Sequence, residues 1–128
     1  MSSRRTLLAI GFLLFGASFA FAAEKGPFKP AAFADAQAAG AMILIDVHAP
    51  WCPTCRAQEP ILKKLEALPQ FDKLKVFVVD FDSQKDALRA LGARQQSTLI
   101  VFKGAREVGR SVGETDPAAI AALLDKTQ

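Results

Sequence analysis

Cys52 and Cys55 are the only cysteines in a chain of 128 residues, and two residues separate them. They stand in the stretch Ile43-Leu44-Ile45-Asp46-Val47-His48-Ala49-Pro50-Trp51-Cys52-Pro53-Thr54-Cys55-Arg56, which also holds the only tryptophan and the only histidine. An apolar run precedes the pair and a helical pattern follows it, so the cysteines are expected at a strand-to-helix junction. Unpaired backbone N–H groups and the dipole of a helix N-terminus favour a thiolate there. Cys52 is therefore read as a nucleophile that attacks a disulfide and forms a mixed disulfide. Cys55, about one turn further on the same face, is read as the thiol that resolves it.

Two other uses of such a pair fit the sequence less well. A stabilising bridge that closes a loop of about four residues contributes only about 2 kcal/mol in the chain-entropy model, against about 4.7 for a 100-residue loop. A metal site would draw on Cys52, Cys55 and His48, three ligands where a closed structural zinc site takes four. Redox chemistry fits the spacing best, and no metal or other cofactor is expected.

Asp46 lies six residues before Cys52, inside the apolar run. A carboxylate in such a strand is costly unless hydrogen-bonded, and burial raises its pKa. The alternative is a strand-end aspartate facing water or capping the next helix. Trp51 reads either as an apolar docking rim beside the cysteines or as core. His48 reads as a loop histidine without a special role, electrostatic tuning being the alternative.

The elements that must position these residues follow from periodicity. Residues 24–30 carry two prolines and a glycine and read as an extended lead-in. Residues 33–39 are helix-prone and end at Gly40. Residues 41–47 form a strand covered on both faces. A helix is expected from Cys52 to about Leu68, with Ile61, Leu62, Leu65 and Leu68 at helical spacing, a kink at Pro60 and an end at Pro69. Residues 75–81 form a second strand. Ser83 with Asp86 suggests a cap for a helix through Leu91, stopped by Gly92. Residues 98–103 and 107–112 form a hairpin about Gly104. Asp116 and Pro117 open a final helix. Strands alternating with helices, closed by a hairpin, give an α/β class with a mixed four- to five-stranded sheet and helices on both faces.

Before that domain, residues 1–22 have the parts of an export signal: Arg4 and Arg5, an apolar run from Leu7 to Ala17, and the small-x-small site Ala20-Phe21-Ala22. The apolar run falls short of the roughly 20 residues a spanning helix needs, so cleavage is expected over a retained anchor. Both a twin-arginine and an ordinary signal fit Ser3-Arg4-Arg5-Thr6-Leu7-Leu8. The expected product is a single domain, residues 23–128, in the periplasm. The net charge of +3 falls to +1 without Arg4 and Arg5, and no basic stripe points to nucleic acid.

Trp51-Cys52-Pro53-Thr54-Cys55 resembles the active-site motif of the thioredoxin family, and the resemblance runs through the whole of residues 23–128. Asp46 resembles the family's buried acid, and Pro60 its proline in the active-site helix. Gly92, the segment from Thr98 to Gly104, and Gly113 fall where the family has similar residues. The tetrad followed by Arg56 and Glu59 is similar to thioredoxin-like reductants of cytochrome c maturation. The resemblance implies the thioredoxin fold, a Cys52–Cys55 redox disulfide, and Asp46 as acceptor of the Cys55 proton. It also implies a client-binding surface from Trp51, Pro53, Thr54, Gln96, Ser97 and Thr98.

Three positions depart from the family. His48 stands where close thioredoxins have tryptophan, and Val78 stands where they have a lysine near the buried acid. Ser97 stands where they have a cis-proline. A cis bond before a non-proline residue costs about 2.5–4 kcal/mol, so trans and strained cis forms both remain open from sequence. The family's strong oxidants carry a histidine between the cysteines; Pro53-Thr54 here points to the reducing end of a range of about 150 mV, or about 7 kcal/mol for two electrons. The expected activity is reduction of client disulfides by an exported monomer. Its electrons would come from a membrane thiol transporter. Dithiol oxidation or isomerisation, and metal or partner capture without turnover, are the alternatives.

Overall fold

Alternation along one strand decides where the rest of the chain packs. The computed structural model describes residues 16–17 and 22–128, so nearly all of the proposed signal, and with it any cleavage, lies outside the described residues. The elements are β1 (Glu24–Pro27), α1 (Pro30–Ala38), β2 (Met42–His48), α2 (Pro53–Glu66), a 3-10 turn (Pro69–Phe71), β3 (Lys75–Asp80), α3 (Lys85–Leu91), β4 (Thr98–Lys103), β5 (Arg106–Val112) and α4 (Pro117–Asp125). They form one mixed sheet in the order β1-β3-β2-β4-β5. β2 is central, parallel to β3 and antiparallel to β4. This is the expected α/β sheet in its five-stranded form.

Successive side chains of a strand point to opposite faces. Ile43, Ile45 and Val47 pack with Phe28, Phe77, Leu88 and Phe102, and Phe33 of α1 lies edge-on against Phe77 and Phe102 at 5.9 and 5.3 Å between ring centroids. Leu44 packs on the other face with Leu62 of α2 and Ile120, Leu123 and Leu124 of α4. Asp46, two residues beyond Leu44, belongs to that second face. The carboxylate is thereby set on the α2 side of the central strand. α4 comes close to β5 because Gly109 has no side chain; a Cβ there would fall 2.9 Å from Leu123 Cδ1.

Several local expectations need correction. Residues 24–27 are extended as expected, and they also pair as an edge strand parallel to β3. Pro27 is compatible because an edge strand leaves one row of backbone groups unpaired. α1 begins at Pro30, a proline at the first helical position, rather than at Phe33. α2 stops at Glu66, and Pro69 opens the 3-10 turn. The Ser83 cap does not form: Gln84 is the N-cap residue of α3 and makes no side-chain cap. Its amide is engaged elsewhere, accepting from Asp80 N–H at 3.0 Å and donating to the Phe28 carbonyl at 3.0 Å. Gly92, at φ +63°, ends α3 as expected, and Asp116 caps α4.

Candidate active site

β2 delivers its last residues to the N-terminus of α2, and Cys52 is the N-cap residue there. Its backbone is extended, Pro53 follows at the first helical position, and Cys52 Sγ accepts a hydrogen bond from Cys55 N–H at 3.1 Å. A backbone donor is thus aimed at the sulfur read as the attacker. Pro53 is exposed and Thr54 half-buried, and both cysteines are buried free thiols. The Cys55 thiol lies 3.9 Å from the Val47 carbonyl. Burial first, and then the hydrogen bond with Cys52, push its pKa up to about 11. Cys55 is protonated at neutral pH and needs a base before it can attack.

Asp46 is the nearest buried acid in sequence and is 5% exposed, so it neither faces water nor caps α2. Burial raises its pKa above the usual carboxylate range; Lys25 and His48 lower it, and Glu66 and Glu59 raise it. Lys25 pairs with Glu66 at 3.3 Å, and His48 Nε2 lies 4.0 Å from Glu59. His48 is not in a loop. It is the last residue of β2, beside Asp80 of β3 and on the face of Asp46. A hollow of about 340 Å³ opens beside it, lined also by Pro50, Val78 and Gln84.

Val78 deprives Asp46 of one lysine, and Lys25 supplies a cation from β1 instead. Lys25 pairs with Val76, and Asp46 with Val78, so both side chains stand on the α2 side of the sheet. Only the register of β1 reveals this.

Trp51 is 52% exposed, which excludes the core alternative. Its indole N–H donates to the Asp82 carboxylate at 2.9 and 3.1 Å, and its ring stands edge-on to Phe81 at 6.2 Å. The exposed ring is thus pinned from both its N–H and its edge.

On the other side, Ser97 follows a trans peptide bond and adopts φ +60°, a left-handed conformation that side chains disfavour. Its N–H donates to the Val47 carbonyl at 2.8 Å, the same carbonyl that faces Cys55. Its hydroxyl donates to the Gln96 carbonyl. Its own carbonyl accepts from Gly113 N–H at 3.0 Å and from Gln58 Nε2 at 3.2 Å. Thr98 Oγ1 donates to the Gln95 carbonyl at 2.7 Å, and Gln96 is half-buried. Ser97 and Thr98 thus meet the cysteine end of the sheet.

Gln58 was missed. It is 1% exposed and sits in α2 between Cys55 and Leu62, at the i+3 and i+7 spacing of a buried stripe. A polar residue at an apolar position of that stripe was the signal in the sequence.

Comparison with known proteins agrees with the geometry. The family model described as Thioredoxin matches residues 26–126. Thioredoxin of Chlamydia trachomatis is 40% identical over 97 residues, covering 75% of this chain and 91% of its own. Thioredoxin of Bacillus subtilis is 32% identical over 91 residues, covering 71% and 86%. The crystal structure of Trxlp from Edwardsiella tarda superposes with a TM-score of 0.77 at 48% identity, over 79% of this chain and 98% of that one.

Proposed function

The chain belongs to the thioredoxin family and is a thiol-disulfide oxidoreductase acting on disulfide-containing proteins, and we propose that it works as an exported reductase of those disulfides. The observation that carries this reading is the Cys52 sulfur at the N-terminus of α2, accepting a backbone N–H, with the protonated Cys55 thiol one turn behind it.

In the first step the Cys52 thiolate attacks one sulfur of a client disulfide. A Cys52–client bond forms, the client S–S bond breaks, and one client thiolate leaves. In the second step Cys55 loses its proton to the Asp46 carboxylate through water and attacks Cys52 Sγ. The Cys52–Cys55 bond forms and the second client thiolate leaves, taking up a proton. The client gains two electrons, and the enzyme is left as its disulfide. Asp46 suits the acceptor role because its raised pKa brings it closer to that of the thiol it serves. Trp51, Pro53, Thr54, Gln96, Ser97 and Thr98 form the surface against which the client lies.

The reducing direction is supported by the neutral Pro53-Thr54 pair. Among the described residues no cationic side chain donates to either sulfur, so the reduced form lacks the extra stabilisation that makes a strong oxidant. Export by residues 1–22 would put the protein in an oxidising periplasm, where a membrane thiol-electron transporter would have to reduce it again. It is proposed to act as a monomer.

Equilibration with glutathione buffers tests the direction. A potential near about −270 mV, that of thioredoxin, is expected; one near about −120 mV would mark an oxidant and overturn the reading. Export is tested by the mass of the periplasmic form, expected to begin at Ala23.

A further inference from the structure

Gln58 is a buried amide that the redox chemistry above does not use. Its Nε2 donates to two backbone carbonyls, Ser97 at 3.2 Å and Glu114 at 2.9 Å. Two carbonyl acceptors fix the orientation of the amide, since a flipped group would aim its oxygen at both. The Oε1 then has no partner among the described residues. Leaving a buried acceptor unsatisfied is costly, so the two donated bonds must hold something that an apolar residue there would not.

What they hold is the turn at Ser97. That residue stands in the left-handed region, and such a conformation persists only where surrounding contacts over-determine it. Here the contacts come from three directions. Val47 on β2 takes the Ser97 N–H, Gly113 beyond β5 gives its N–H to the Ser97 carbonyl, and Gln58 on α2 gives that carbonyl a second donor. Gln58 also grips Glu114, next to Gly113. The helix that carries Cys52 and Cys55 is thereby tied to two connections, the one that leads into β4 and the one that leaves β5.

We propose that Gln58 is a positioning residue for client binding, holding the Ser97 turn in the shape against which a client's disulfide-bearing segment is laid. The proposal rests on the reductase reading in taking that turn as the client surface. The Ser97 hydroxyl bonds back to the Gln96 carbonyl, so the peptide before Ser97 is fixed as well as the one after it. Recognition there depends on the shape of the turn, and Gln58 sets that shape from below.

The test uses the Cys55→Ser protein, whose Cys52 forms mixed disulfides that no resolving thiol releases. Rates are measured with insulin, a protein disulfide, and with a small aromatic disulfide that needs no docking surface. Adding Gln58→Leu should slow the insulin reaction about tenfold, the scale of one lost buried hydrogen bond, and leave the small disulfide within about twofold. Gln58→Met serves the same purpose should the leucine variant fail to fold. Amide exchange at Gly113, whose N–H is bonded to Ser97, should accelerate in parallel. In a Ser97→Pro background the turn cannot keep φ +60°, so Gln58→Leu should then have little further effect.

An unchanged ratio of the two rates, or equal slowing of both, overturns the proposal. So does full additivity with Ser97→Pro. If Cys52 reacts with neither disulfide, the reductase reading fails, and Gly113 exchange alone then decides whether Gln58 holds the turn.

Discussion

On one flank of the cysteine pair lies Asp46, a buried carboxylate with Lys25, His48, Glu59 and Glu66 around it. On the other lies Ser97, whose N–H, carbonyl and hydroxyl all have neutral partners. Both flanks meet at Val47, whose carbonyl takes the Ser97 N–H and faces the Cys55 thiol. The first flank holds a proton whose position depends on pH. The second holds a shape that pH does not touch. A substitution can therefore be assigned to a flank by asking whether it moves the pH profile or the choice of client.

The largest difference is expected from Asp46→Asn. General-base assistance contributes about 100-fold or more, so release of the mixed disulfide should slow by about that factor while the first attack by Cys52 keeps its rate. Single-turnover kinetics with insulin separates the two steps. Equal slowing of both would mean that Asp46 acts on Cys52 instead.

The same variant tests the electrostatics through stability. The folded pKa of Asp46 is raised, so between the unfolded value of about 3.9 and the folded value the native state holds the extra proton. Stability falls as pH rises through that window, because the carboxylate must then be charged while buried. Asp46→Asn should raise the urea midpoint at pH 7 and leave it near wild type at pH 3. A variant less stable than wild type at neutral pH would show that the carboxylate is satisfied where it lies.

Lys25→Met should slow release less than Asp46→Asn does. Lys25 lowers the Asp46 pKa, so removing the cation leaves burial, Glu66 and Glu59 pushing upward against His48 alone. The acid limb of the release rate should move to higher pH, with a change below about tenfold because the lysine is partly exposed and screened. A limb that stays in place would remove Lys25 from the flank.

These flanks were unequally legible in the sequence. The charged flank announced itself: Asp46 interrupts an otherwise apolar strand six residues before Cys52. Its cation did not, because Lys25 reaches the site only through the pairing of β1 with β3, and a four-residue strand containing Gly26 and Pro27 carries almost no periodic signal. The central strands and the hairpin were readable because they are apolar enough to be recognised alone. The Ser83 cap failed where Gln84 takes the N-cap position, its amide held by the Asp80 N–H and by the Phe28 carbonyl 56 residues away. Gln58 was hidden for the opposite reason. A glutamine on a helix reads as solvated until the stripe Cys55, Gln58, Leu62 is laid against the sheet. On the neutral flank Ser97 was recognised as unusual, but its backbone geometry depends on three partners distant in sequence.

The smallest effect belongs to that neutral flank and isolates its backbone. Ser97→Gly and Ser97→Ala both delete the hydroxyl and its bond to the Gln96 carbonyl, so their difference reports only on φ. At φ +60° alanine keeps the clash of a Cβ with the chain, and glycine relieves it. Part of the relief is cancelled because glycine has more freedom to lose on folding. Ser97→Gly should therefore be the more stable of the two by about 1 kcal/mol in urea unfolding. Both should keep the wild-type pH profile of release, because no charged group is altered. Equal stabilities would deny the left-handed turn, and a displaced pH profile would mean that the two flanks are coupled through Val47 rather than separable there.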